Sequence, residues 1–134
     1  GSKIKMKKKK IKNKTCFSVA EECYKNDPAK LEHYKKQREE QGFDDTETWH
    51  MDRTMALFII PRLKIFIEVN NGIPNGESEE AYNEKIRFII SAFENYYVSD
   101  KYFNSVDIEE RKKLTDDVRL AVEYLSKLWF ELWW

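Results

Sequence analysis

From Asp107 to Leu132 the apolar residues Leu114, Val118, Ala121, Val122, Leu125, Leu128, Trp129 and Leu132 recur at steps of three and four. Residues so spaced share one side of an α-helix, and that side must be covered by another apolar element. Asp107 stands where an N-cap belongs, so the pattern predicts a long C-terminal helix opened by that residue. The chain of 134 residues holds only four Gly and three Pro, too few for the many tight turns of an all-β fold. No glycine-rich phosphate loop can be drawn from them either.

The rest of the sequence repeats the helical signal. Ser18-Val19-Ala20-Glu21 has the spacing of a capping box and predicts a short helix ending near Asn26. Asp27-Pro28 predicts a second start, with Leu31, Tyr34 and Arg38 on one face and a stop at Gly42. The acids of Phe43 to Trp49 mark a third start. The run Met55 to Ile60 would clothe every side of a central helix, kinked or broken at Pro61. A strand over Lys64 to Val69 is the lesser alternative. Gly72 to Ser78 reads as a loop, and Ser78 caps a helix with Tyr82, Ile86, Ile89, Ile90, Phe93 and Tyr97 on its apolar face. Tyr102 and Phe103 are expected to tuck inward from the next connection. The expected fold is all-α: a compact bundle of four to five helices in a single domain, residues 15–134, preceded by a basic arm, residues 1–14.

The formal charge is zero but is unevenly placed. Eight lysines fall within residues 1–14, which contain no acid, leaving 16 basic against 24 acidic side chains elsewhere, a net of −8. Gly1-Ser2 reads as a cloning remnant. The arm has no apolar core and so does not read as a signal peptide, and no segment approaches the ~20 apolar residues of a membrane span. These features place the protein in the cytoplasm. Cys16 and Cys23, if on one helix, would be too far apart for a disulfide, and both are expected as free thiols at least partly buried.

The string Gly42-Phe43-Asp44-Asp45-Thr46-Glu47-Thr48-Trp49-His50-Met51-Asp52, followed by Pro61-Arg62-Leu63, resembles a family of small proteins encoded by bacteriophages and prophages. Gly72-Ile73-Pro74, Tyr82-Asn83-Glu84, Ala92-Phe93-Glu94 and the ending Tyr124-Leu125 to Leu132-Trp133 extend the resemblance over about residues 42–133. The resemblance implies a phage or prophage origin, hence a bacterial host cytoplasm, and a helical fold. It names no activity.

Three surfaces are candidates for function. Trp49, Asp52, Arg53 and Arg62 could form a small-ligand pocket, with the indole for stacking and the guanidinium groups for phosphate. Asp52, on a helix turning apolar, is expected to be buried and paired with a donor such as Arg62 or Arg87, in a structural network or at a site, and Glu94 carries the same ambiguity. Trp129, Phe130, Trp133 and Trp134 would form two helical stripes, which either complete the core or form an interface with a partner or a second copy. Lys7, Lys8, Lys9, Lys10 and Lys12 offer a site for nucleic acid or another anionic partner, or a solvated arm.

No nucleophile elbow, phosphate loop or zinc spacing is present, and Glu47-x-x-His50 lacks the second such pair of a bundle metal site. No metal, no cofactor and no catalytic residue is therefore assigned. The expected function is non-enzymatic binding of a host or phage protein. The alternatives are sequestration of a nucleotide-like molecule, as in anti-defence proteins, and a nucleic-acid accessory role for the arm.

Overall fold

The computed structural model describes residues 16–69 and 78–133. The lysine arm, the predicted loop from Gly72 to Glu77 and Trp134 lie outside the described residues. Among those residues every regular element is helical. They are α1 (Ala20–Cys23), α2 (Pro28–Gln41), a 3-10 turn (Asp45–Thr48), α3 (Met51–Val69), α4 (Glu79–Phe93), a π turn (Glu94–Val98), α5 (Lys101–Asn104), α6 (Ile108–Leu128) and a closing 3-10 turn (Trp129–Glu131). The all-α expectation holds, and the strand alternative at Lys64 to Val69 does not. The chain divides into two compact units between Phe58 and Ile59.

In the first unit α2 starts and stops where the sequence says. The Asp27 carboxylate accepts from Lys30 N at 3.1 Å, and Gly42 ends the helix at φ +88°, a conformation only glycine adopts without strain. No α2 side chain is fully buried, so packing alone does not fix this helix. A polar network fixes it instead, centred on Asp44, which has no solvent exposure. Its Oδ1 accepts from Thr46 N at 2.8 Å and Thr46 Oγ1 at 2.6 Å, and its Oδ2 accepts from Ser18 Oγ and Arg38 Nη1. Both hydroxyl protons are thus committed to Asp44. Each hydroxyl oxygen is left to accept, Thr46 from Val19 N at 3.0 Å and Ser18 from Ala20 N at 3.2 Å. With Arg38 donating beside the two hydroxyls, the arrangement suits an ionised Asp44. Glu47 completes the arrangement, taking Asp44 N at 2.8 Å and Phe17 N at 3.0 Å.

Here the expected capping box moves. It belongs to Asp44 and Glu47 rather than to Ser18 and Glu21, and α1 has no side-chain cap. Ser18 is drawn away by Asp44, and α1 shortens to four residues. Cys16 therefore lies outside that helix, and both thiols are free and exposed, correcting the expectation of burial.

Helix α3 runs unbroken through Pro61, so the break expected there does not occur, though the Leu57 carbonyl loses its ladder donor. The helix is not enclosed on all sides. Ala56, Ile60 and Leu63 are buried, whereas Met51, Met55, Phe58, Ile65 and Val69 are exposed.

In the second unit α4 packs along α6. Ser78 caps α4 by accepting from Ala81 N at 3.1 Å, and Asp107 caps α6 by accepting from Glu109 N at 2.9 Å. Tyr82, Ile86, Ile89, Ile90 and Phe93 of α4 and Leu114, Ala121 and Leu128 of α6 are buried, as their periodicity predicts. After Phe93 the helix widens: Ser99 N bonds to Glu94 O at 2.9 Å, closing the π turn. Lys64 Nζ reaches Glu94 at 2.9 Å, so Glu94 is an ion-pair member at the surface. Tyr96 stacks near Tyr102, with ring centroids 4.8 Å apart. Phe103 turns outward instead of tucking in, because α5 is only one turn long and its other side carries Tyr102.

Burial pushes the Asp44 carboxyl upward, but the hydrogen bonds from Ser18, Thr46 and Arg38 outweigh it and hold the group below its ordinary value. Its stabilising contribution is complete above the ordinary aspartate pKa and is lost as pH falls through the lowered native value. Asp44→Asn should cost about 3 kcal/mol at neutral pH, since it leaves the partly buried Arg38 without its fully buried charge partner. Thermal melts of both proteins across the acid range should show a flatter pH dependence for the variant.

Candidate functional site

The last turns of α6 and the 3-10 turn after them carry the largest exposed aromatic surface of the second unit. Trp129 is 59%, Phe130 88% and Trp133 72% exposed. The sequence pattern extends the helix to Leu132, where Trp133 would sit one turn above Trp129. The helix instead ends at Leu128, and the chain tightens into a 3-10 turn, in which a step of four is no longer one repeat. The predicted Trp129–Trp133 stripe therefore does not form as such, and Trp129, Phe130 and Trp133 do not complete the core.

This turn is held from beneath. Tyr82, 1% exposed, sends its hydroxyl from α4 to the Glu131 carbonyl, donating at 2.7 Å. Leu128 is buried immediately before the turn, and the Phe88 ring meets Tyr124 edge-on at 5.5 Å. A buried tyrosine hydroxyl needs a partner, and an exposed helix end needs a donor for its carbonyls. One bond serves both. Fixed in this way, Trp129 and Phe130 line an open groove with Val122, Leu125 and Ser126. The groove is largely apolar. No lining residue is acidic or basic, and Ser126 alone offers a polar side chain. The surface suits apolar recognition.

The second candidate set comes apart. Trp49 is half exposed and meets Tyr24 edge-on at 6.1 Å, which in turn lies 5.5 Å from Tyr34. Asp52 is exposed, correcting the expectation of a buried carboxylate there. The buried acids are Asp44 and Glu47, eight and five positions earlier, and the signal that could have found them is their spacing of three. Arg53 and Arg62 both belong to α3, nine residues apart. At ~100° per residue they leave the helix on opposite sides, and Asp52 and Arg62 are separated by about 15 Å of axial rise. Glu47 of the Glu47-x-x-His50 pair is buried with both oxygens engaged, while His50 is exposed. Lys7, Lys8, Lys9, Lys10 and Lys12, with Trp134, lie outside the described residues.

Comparison with known proteins returns no matching family model, no matching curated protein and no matching solved structure.

Removing the hydroxyl that pins the turn isolates its contribution. Tyr82→Phe should lower stability by about 1 kcal/mol, a shift of a few degrees in melting temperature. The amides of the 3-10 turn, Trp129–Glu131, should also exchange hydrogen faster, as seen by hydrogen–deuterium exchange. Unchanged exchange at the turn would mean that this bond does not hold it.

Proposed function

We propose that this chain is a non-enzymatic binding protein whose C-terminal aromatic turn engages another protein. The observation that carries this reading is the exposure of Trp129 and Phe130 on a turn tethered by the buried Tyr82, and of Trp133 just after it. Aromatic residues held in place lose little side-chain entropy on binding and supply most of the energy of many interfaces. The groove beside them, lined also by Val122 and Leu125, accepts an apolar anchor from the partner.

The resemblance to bacteriophage and prophage proteins makes a host or phage protein in the bacterial cytoplasm the partner of choice. The eight lysines of residues 1–14 would serve encounter with an acidic partner, raising the association rate more than the final affinity. The nucleotide-sequestering alternative loses support, because Arg53 and Arg62 point away from each other. The nucleic-acid alternative rests on the lysines alone.

The test is a triple replacement of Trp129, Phe130 and Trp133 by alanine, with the partner identified by affinity capture from host and infected-cell lysates and then purified. Direct titration calorimetry should show binding to the intact chain and at least a ~100-fold weaker association with the variant. The melting temperature should change little, because exposed side chains contribute little to stability. Retained affinity in the variant would refute the reading.

A further inference from the structure

In the first unit three aromatic rings meet at the surface. Tyr24 closes α1, Tyr34 lies in the middle of α2, and Trp49 closes the 3-10 turn. The Tyr24 and Tyr34 ring centroids are 5.5 Å apart with their planes tilted by 32°, and Trp49 stands at 71° to Tyr24, 6.1 Å away. The same three stretches of chain are tied together at Asp44. Tyr24 follows Ser18 by six residues, Tyr34 precedes Arg38 by four, and Trp49 follows Thr46 by three. A buried polar network thus positions the rings, and they stay partly open to water, Trp49 at 46%.

A cation already sits on this cluster. Lys30 Nζ lies over the Tyr24 ring, 4.4 Å from its centroid. The face of an aromatic ring is negative, and a cation within about 6 Å of the centroid is drawn to it. The surroundings add to that field, since residues 16–58 contain ten acidic against six basic side chains. Partial burial first, then the neighbouring Tyr24 and the charges of Asp45 and Asp44, hold the Tyr34 phenol above its ordinary value. The Lys30 ammonium is nevertheless a poor occupant. It is strongly hydrated, and it belongs to an exposed side chain whose contact with the ring is of the weak, solvated kind. A trimethylammonium group spreads the same charge over methyl groups and holds less water. Being round, it can touch two rings set at 71°, whereas a planar guanidinium stacks on one ring at a time.

We propose that Tyr24, Tyr34 and Trp49 form a binding site for a quaternary ammonium group, which takes the place that the Lys30 ammonium holds over the Tyr24 ring. Lys30 is then a built-in competitor, displaced when the ligand enters. Three partly exposed rings give an affinity on the order of 1 mM. The site lies within the first unit and is independent of partner binding at the aromatic turn.

An NMR titration of the full chain with choline reads the outcome through the Trp49 indole signal, assigned by its loss in Trp49→Phe. The signal should shift and saturate. The neutral isostere 3,3-dimethylbutan-1-ol should bind at least ~10-fold more weakly, because it has the shape without the charge. A short peptide carrying one trimethyl-lysine presents the same headgroup, and the tighter of the two ligands distinguishes a small molecule from a protein side chain as its source. Lys30→Gln should tighten choline binding about 2–5-fold by removing the competitor, whereas Lys36→Gln, the same charge change elsewhere on α2, should not. Trp49→Leu should weaken binding at least ~10-fold, with circular dichroism checking that helicity is retained. Should that variant unfold, the isostere and the two lysine variants decide alone, since both lysines are exposed. A shift that never saturates would overturn the proposal, and so would equal binding of the neutral isostere. Choline affinity unchanged or lowered in Lys30→Gln would overturn it as well, because Lys30 would then support the rings rather than occupy the site.

Discussion

Asp44 has no access to water, and an ionised carboxylate so placed must be met by donors aimed at it. Ser18, Arg38 and Thr46 supply them, and each comes from a different stretch of the first unit. The segment before α1, the end of α2 and the turn before α3 are thereby tied at one point. Because none of the α2 side chains is fully buried, this charge does for the first unit what apolar packing does for the second. The arrangement has a strict internal logic. Once the hydroxyl protons of Ser18 and Thr46 face the carboxylate, their oxygens must take backbone donors, and that requirement sets the path of the chain from Phe17 to Ala20.

The second unit follows the opposite principle. Its core is the seam between α4 and α6, made of Ile86, Ile89, Ile90, Leu114, Ala121 and Leu128 around the one buried tyrosine. Small units bury a smaller share of their apolar surface than large ones. The chain contains more apolar side chain than its two cores enclose. Phe43, Val98, Phe103, Val106 and Ile108 are exposed elsewhere along the chain, whereas Trp129, Phe130 and Trp133 gather at the end of α6, and gathered apolar surface marks contact with other molecules.

Much of this was legible from spacing. The caps at Asp27, Ser78 and Asp107, the stop at Gly42 and the buried faces of α4 and α6 follow from patterns of three and four with a polar residue ahead of them. What could not be read was competition between patterns. Ser18 suits a helix cap as well as it suits a buried acid twenty-six residues away, and only the folded chain shows which claim prevails. For α3, six consecutive apolar residues imply burial all round. Periodicity reports which side chains share a face; it does not report whether a face is covered. The same holds for Trp129 and Trp133, whose spacing promised a continuing helix, whereas tightening after Leu128 gave a turn.

Trp49, Trp129 and Trp133 all meet solvent in the folded chain. Indoles in contact with water emit near the red limit whether the polypeptide is folded or not. The emission of these three indoles should therefore resemble that of the denatured state, and their intensity maximum would be a poor witness to unfolding. The same indoles become sensitive reporters when something dry covers them, so a blue shift in this protein signals contact with another molecule rather than the gain of structure.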